Sequence, residues 1–247
     1  DSVVICSHKT KVENPESDIF YKQMHLSNLF TIDTVGWGPT HSKAQTSPSL
    51  QGIDVEKARR FCEDKKAEFL TTGKSKHAQP AAVSTFEAPE DYIFVPIQRP
   101  GDDMLLFNSS IGVYDFITEV TAWAEASKQH LVMKLHPINF LDVEIVEHAK
   151  NRSAGSKYVH LLDGNIHQLI AKSKGVFCIN SGVGFETLIH GKPVATFGAC
   201  DYQWVTFRGT KETIDEAFDH LNNYTESQRN LACQFVYYYY FQHAFSI

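Results

Sequence analysis

From residue 92 to residue 197 the chain repeats one rhythm, a short apolar run followed by a longer stretch with apolar residues at helical spacing. The short runs lie at residues 92–97, 130–135, 158–161, 175–179 and 193–197. Between the first two, Val113, Phe116, Ile117, Val120 and Trp123 share one helical face, and residues 141–150, 165–172 and 183–190 read as further helices. Parallel strands need crossovers of this length, whereas hairpins need only a few residues. The rhythm therefore predicts βαβ units and a doubly wound parallel sheet with helices on both faces.

Before residue 92 the signal is weaker. Residues 3–6 read as a buried strand, 17–29 as weakly helical, and 30–35 as a strand broken by Gly36-Trp37-Gly38-Pro39. Residues 40–52 are polar loop. Asp54 is placed to cap a helix whose inner face carries Val55, Ala58, Phe61 and Cys62. Residues 71–90, mostly small and polar and punctuated by Gly73, Pro80 and Pro89, read as a linker. The expected division is a small α/β unit at 1–88 and a larger one at 89–247. No internal repeat is visible.

With 23 Lys and Arg against 29 Asp and Glu, the net charge of −6 argues against general nucleic-acid binding, which depends on neutralising phosphates. A hydrophobic fraction of 43% excludes disorder. The five cysteines (6, 62, 178, 200 and 233) form no CxxC pair, so neither a zinc knuckle nor a disulfide framework is expected, and Cys178 reads as a buried thiol. The twelve histidines show no metal-ligand spacing, so no metal is expected. Neither a signal peptide nor a membrane span is expected. The aromatic run at 235–241 suits a buried helix or an interfacial contact better than a span. The cytoplasm is the expected location, its inner-membrane face included.

In a doubly wound sheet, ligands sit beyond the carboxyl ends of the strands, so residues just after each strand are the informative ones. Gln98-Arg99-Pro100-Gly101-Asp102-Asp103 follows the first. Its paired carboxylates suit a nucleophile or base at a sugar carbon, and equally an ordinary Pro-Gly-Asp turn. Lys134-Leu135-His136-Pro137 ends the second; Pro137 holds His136 extended, so the imidazole can project into a crevice. Asn180-Ser181-Gly182-Val183-Gly184-Phe185-Glu186 joins a buried strand to a helix. Small residues there expose N-terminal amides, an anion site, with Glu186 in the first helical turn to accept from ribose hydroxyls. The alternative is that Ser181 caps the helix and Glu186 satisfies its dipole. Neither a GxGxxG fingerprint nor a P-loop is present. Asp201-Tyr202 follows the last strand and is either a ligand contact or plain loop. Glu63-Asp64, followed by two lysines, reads as a solvated charge cluster.

The order of these motifs resembles the bacterial capsule polysaccharide biosynthesis proteins that transfer Kdo (3-deoxy-D-manno-octulosonic acid). The matching residues are Val95-Pro96-Ile97-Gln98 with Asp102 and Asp103, Lys134-Leu135-His136-Pro137, Asn180-Ser181-Gly182-Val183-Gly184, and Gly191-Lys192-Pro193-Val194 with Gly198 and Tyr202. Gly36-Trp37-Gly38 is similar to an element of the family's N-terminal half. The acidic motif that follows it in the family is matched at best by Glu63-Asp64.

The resemblance implies a GT-B-like α/β fold, two Rossmann-like parallel-sheet domains facing a cleft, with the N-terminal one small and a C-terminal helix crossing back. Residues 1–88 would serve the acceptor side and 89–247 would bind the CMP-sugar. It implies a retaining glycosyltransferase that moves Kdo from CMP-β-Kdo to a capsule or lipopolysaccharide acceptor, a glycan or glycolipid, with no separate cofactor. Asp102 or Asp103 would be the nucleophile, Gln98 would position it or the sugar, and His136 would stabilise the leaving phosphate. Ser181 and Gly182 would share that charge, Glu186 would hold the ribose, and Lys134, Pro137, Asn180, Gly184 and Tyr202 would complete the site. Another GT-B enzyme, such as a sialyltransferase, or a non-catalytic sugar-binding partner of glycan assembly are the alternatives.

Overall fold

The computed structural model describes residues 4–6, 18–79 and 88–246 of the 247-residue chain. Its larger sheet is built from six strands, all parallel: β4 (Ile93–Pro96), β5 (Leu131–Lys134), β6 (Val159–Leu161), β7 (Gly175–Cys178), β8 (Val194–Thr196) and β9 (Phe207–Arg208). Their order across the sheet is β6-β5-β4-β7-β8-β9. The chain steps outward from β4 to β6, then returns to the other side of β4 and steps outward again. The reversal leaves a crevice at the tips of β4 and β7, where doubly wound sheets take ligands. Five of these strands are the predicted ones; two-residue β9 is too short to leave a pattern.

Each inner strand is buried on both faces, as parallel sheets require. Ile93 and Val95 face one core, with Phe116, Ile117 and Val120 of α3 (Val113–Ser127), Ile145 of α4 (Val143–Ser153) and Ala217 of α7 (Ile214–Asn222). Tyr92 and Phe94 face the other, packed on α5 (Ile166–Lys172), α6 (Gly182–Ile189) and α8 (Glu226–Tyr238). Fully burying a side chain such as Phe94 contributes about 1.5–3 kcal/mol. The second core also takes in Met24, Leu26 and Leu29, with Ala58, Cys62 and Phe69 of α1 (Val55–Thr72), so apolar packing runs without a break across residue 88.

The smaller sheet is mixed. β1 (Val4–Cys6) runs parallel to β2 (Asp18–Gln23), but β3 (Leu29–Asp33) is antiparallel to β2, and β10 (Phe245–Ser246) is antiparallel to β3. This differs from the expectation of parallel strands, and the reason is chain length: only residues 24–28 separate β2 from β3, too few for a crossover. The weak helix expected over 17–29 is likewise β2 and a tight turn; Ile19, Phe20 and Tyr21 favour a strand, and Asp18 and Phe20 alternate inward. The C-terminal segment does cross back: α8 lies on α1, and β10 completes the small sheet.

Local chemistry accounts for the boundaries. Asp54 caps α1 by accepting from the Lys57 amide at 2.7 Å, and Gly73 ends it in the left-handed region at φ +64°. The expected linker at 71–90 is divided: 71–72 finish α1, 73–79 form a packed loop, and 80–87 lie outside the described residues. Cys62, Cys178, Cys200 and Cys233 are free and buried. Phe235, Val236, Tyr239 and Tyr240 are buried and Phe241 is exposed, so one face of the aromatic tail is core, continuing α8 as a π turn (Tyr239–His243). Glu63 and Asp64 stand exposed in the middle of α1. Among the described residues no helix is long and apolar enough to cross a membrane.

Candidate active site

A cavity of about 350 Å³ opens where the tips of β4, β5 and β7 meet the small sheet. It brings together eight of the predicted site residues: Gln98, Asp102, Asp103, His136, Asn180, Ser181, Gly182 and Glu186. The other four lie behind its wall. Lys134 turns away to Asp163, its Nζ 2.7 Å from Oδ1, and Pro137 follows His136 outside the lining. Gly184 packs against Tyr202, so closely that a Cβ would lie 2.4 Å from the phenol oxygen. Tyr202 itself is fully buried and donates to the Ser181 carbonyl, a support beneath the turn.

The reversal point is held by a reciprocal clamp. Gln98 Nε2 donates to Asn180 Oδ1 at 2.9 Å, and the Asn180 amide donates to Gln98 Oε1 at 3.1 Å. Asn180 Nδ2 also donates to the carbonyls of Met104 at 2.8 Å and Ala199 at 3.3 Å. The two strand tips are thereby locked to α2 (Asp103–Asn108), a short helix that sequence periodicity did not predict. Asp102 caps α2, accepting from the Met104 amide at 2.8 Å, so the turn reading holds for it; yet both Asp102 and Asp103 border the cavity.

Ser181 caps α6, its Oγ accepting from the Val183 amide at 3.2 Å. The Gly182 amide has no hydrogen-bond partner among the described residues and borders the cavity, the arrangement that favours an anion. Glu186 lies in the second turn of α6, beyond the first-turn position expected. Only 2% exposed, it is pushed up to about 7 by burial, against the Ser75 hydroxyl 2.5 Å away and the charge of Lys76. His136 is pushed down to about 4, by burial first and then by His77, Arg99, Lys134 and Lys76. Its Nδ1 accepts from the Ile138 amide at 3.2 Å, so the neutral ring carries its proton on Nε2 and acts as a donor.

Sequence reasoning missed the opposite wall: Lys22, His25 and Trp37 from the small sheet, and Ser75, Lys76 and His77 from the segment read as linker. Lys22 lies over the Trp37 ring, 4.4 Å from its centroid, and is lowered to about 8 by burial and by Lys76, against the pull of Asp103 and Asp102. Gly38 of the Gly-Trp-Gly element takes φ +59° and sits against Met104, joining the small sheet to α2. The polar 74–77 segment carries no periodicity and shows its role only in three dimensions.

The protein is a doubly wound α/β protein whose crevice at the strand reversal is rimmed by Lys22 and Lys76 and carries the Gly182 amide, a setting suited to an anion. The chain belongs to the capsule polysaccharide biosynthesis protein family, whose model matches residues 61–231. It is similar to protein FixF of Sinorhizobium fredii (strain NBRC 101917 / NGR234), 27% identical over 190 residues, which is 74% of this chain and 44% of that protein. The chain thus spans less than half the length of this curated relative. Among solved structures it shares its fold with Thermosulfurimonas dismutans KpsC, beta Kdo 2,7 transferase, at a TM-score of 0.57 and 19% identity, covering 96% of this chain and 73% of that one. The beta Kdo 2,4 transferase of the same KpsC matches at 0.54 and 14% identity, covering 93% of this chain and 74% of the other. The fold is thus the one seen in the two KpsC transferase structures.

Proposed function

We propose that the chain forms the active site of a retaining glycosyltransferase that moves Kdo from CMP-β-Kdo to a surface-glycan acceptor. The observation that carries this reading is the convergence of Asp102, Asp103, Gln98, His136 and the α6 N-terminus on one cavity at the strand reversal. A carboxylate oxygen of Asp102 or Asp103 attacks the anomeric carbon, the bond from that carbon to the phosphate oxygen breaks, and its electron pair leaves with CMP. The acceptor hydroxyl then attacks the same carbon and loses its proton, and the carboxylate is released; two inversions give net retention.

The polar groups have distinct tasks in this scheme. Gln98, clamped to Asn180, orients the sugar from a fixed strand tip. His136 donates Nε2–H to a phosphate oxygen as a neutral imidazole, and the Gly182 amide shares the leaving charge. Lys22 and Lys76 supply the cationic rim, and Glu186 accepts from ribose hydroxyls. CMP leaves with one phosphate, so the scheme needs no separate cofactor. Such a protein would work in the cytoplasm or at the cytoplasmic face of the inner membrane, where a glycolipid acceptor is presented.

The test is intact-mass analysis after incubation with CMP-Kdo and no added acceptor. A Kdo adduct is expected in the wild type and is expected to vanish in Asp102→Ala or Asp103→Ala, whichever is the nucleophile, with turnover falling about 10⁴-fold. Turnover of a UDP-sugar in preference to CMP-Kdo would overturn the donor assignment. Binding of CMP-Kdo without turnover would favour a sugar-binding partner instead.

A further inference from the structure

The proposed reaction leaves one proton without a destination: the acceptor hydroxyl must lose it in the second step. The groups bordering the cavity differ in their fitness to take it. His136 commits Nδ1 to the Ile138 amide and presents a donor. Glu186 accepts from the Ser75 hydroxyl through Oε1 and, in the scheme above, is further engaged by the ribose of the donor. His77 is exposed, and no hydrogen bond to its ring fixes its tautomer among the described residues.

His25 is built differently. It follows β2, is 6% exposed, and borders the cavity on the small-sheet side. Its ring stacks on Phe185 of α6, with centroids 4.7 Å apart. Its Nε2 lies 2.9 Å from Oδ1 of Asp201, which is itself buried and accepts from the Tyr239 hydroxyl through Oδ2. Although burial opposes ionisation, His25 and the Tyr239 hydroxyl help hold Asp201 down at about 2, so it is an acceptor only. Nε2 must therefore carry the proton of the neutral ring, and Nδ1 holds the lone pair. Nδ1 is the ring atom beside Gly182: a Cβ built there would lie 3.4 Å away, and glycine leaves the approach open. Among the described residues, Nδ1 has no partner.

We infer that His25 is the catalytic base of the second step, oriented by Asp201 and Tyr239 acting as positioning residues. This rests on the glycosyltransferase reading above. The acceptor oxygen bonds to the anomeric carbon as the bond from that carbon to the aspartate oxygen breaks, and the electron pair of that bond returns to the carboxylate. The hydroxyl proton passes to His25 Nδ1, while Nε2–H stays on Asp201, whose charge stabilises the imidazolium. The proton then leaves to water. The titratable groups around the ring are Asp201 and Tyr202 from the loop after β8 and Tyr239 and His243 from the π turn, while Lys22, Lys76, Asp102, Asp103 and Glu186 share the cavity it borders. Of these Asp201 alone bonds to the ring, and His243, lowered to about 4 mainly by burial, is neutral at working pH.

The experiment uses the whole chain with CMP-Kdo, water as the acceptor, and His25→Gln beside the wild type. The variant is expected to form the Kdo adduct at the wild-type rate but to hydrolyse it about 10²- to 10⁴-fold more slowly, so the adduct accumulates. Azide, a nucleophile with no proton to lose, is expected to restore turnover in the variant and to change the wild type little. Asp201→Asn should slow adduct breakdown less than His25→Gln and shift the pH-dependence of that step. Wild-type hydrolysis by His25→Gln, or a slow variant that azide does not rescue, overturns the role of His25 and leaves the glycosyltransferase reading standing. A wild type that forms no adduct and turns over no CMP-Kdo overturns both.

Discussion

The two walls of the cavity reach it by different routes. The parallel-sheet wall is made of strand tips: Gln98, His136 and Asn180 each sit one to three residues past a buried strand, and the clamp between Gln98 and Asn180 ties two of those tips together. The opposing wall comes from the mixed sheet and the 73–79 loop, and its members Lys22, His25, Trp37 and Lys76 are spread over more than fifty residues of chain. The first wall is rigid because each residue inherits its place from a hydrogen-bonded strand. The second draws only Lys22 from a strand; His25, Trp37 and Lys76 lie outside the strands and are placed by tertiary contacts, such as Lys76 Nζ to the Gln23 carbonyl at 3.1 Å. One wall carries the groups proposed for attack on the sugar; the other carries most of the positive charge and the proposed base.

Breaking the rigid wall should have the larger effect. Gln98→Ala strips the Asn180 amide and Oδ1 of their partner in a buried site, which should cost about 1–3 kcal/mol of stability, readable by denaturant titration. It should also lower turnover. Stability unchanged within error would mean that the clamp does not hold the reversal point.

The seam between the walls, where Ser75 meets Glu186, should be legible as a pH effect. The folded value of Glu186 near 7 lies above the ordinary value near 4.5. The neutral form is therefore favoured by folding, and its stabilisation is fully present below 4.5 and lost as pH rises through 7. Thermal denaturation between pH 4.5 and 8 should show Glu186→Gln losing less stability with rising pH than the wild type. Asp201 works in the opposite sense, its contribution being present above 3.8 and lost only as pH falls through about 2, outside that window. Parallel curves for the two proteins would refute the assignment.

The smallest effect belongs to the opposing wall. Lys22, lowered to about 8, discharges as pH rises through that value. CMP affinity, followed by calorimetry from pH 7 to 9, should fall with pH, and in Lys22→Met it should be a few-fold weaker at pH 7 and vary less. Equal pH dependence in both would remove Lys22 from the anion-binding rim.

What the chain by itself determined is the larger sheet and the groups at its strand tips. Apolar runs at regular spacing leave only a parallel sheet as a way to bury both faces, and a residue just past such a run must lie at the carboxyl edge. That is why Gln98, Asp102, Asp103, His136 and Asn180 were legible from sequence alone. The tertiary structure decided everything that depends on which segments meet. The strand around Phe20 reads as weakly helical because its six residues alternate inward only at Asp18 and Phe20, too briefly to show a period. Ser75, Lys76 and His77 looked like linker because a loop's role lies in what it packs against. The pairing of His25 with Asp201, 176 residues apart in sequence, has no local signature at all. Lys134 and Tyr202 stand at strand tips as expected, yet face Asp163 and Ser181, since a position at an edge does not decide which way a side chain turns.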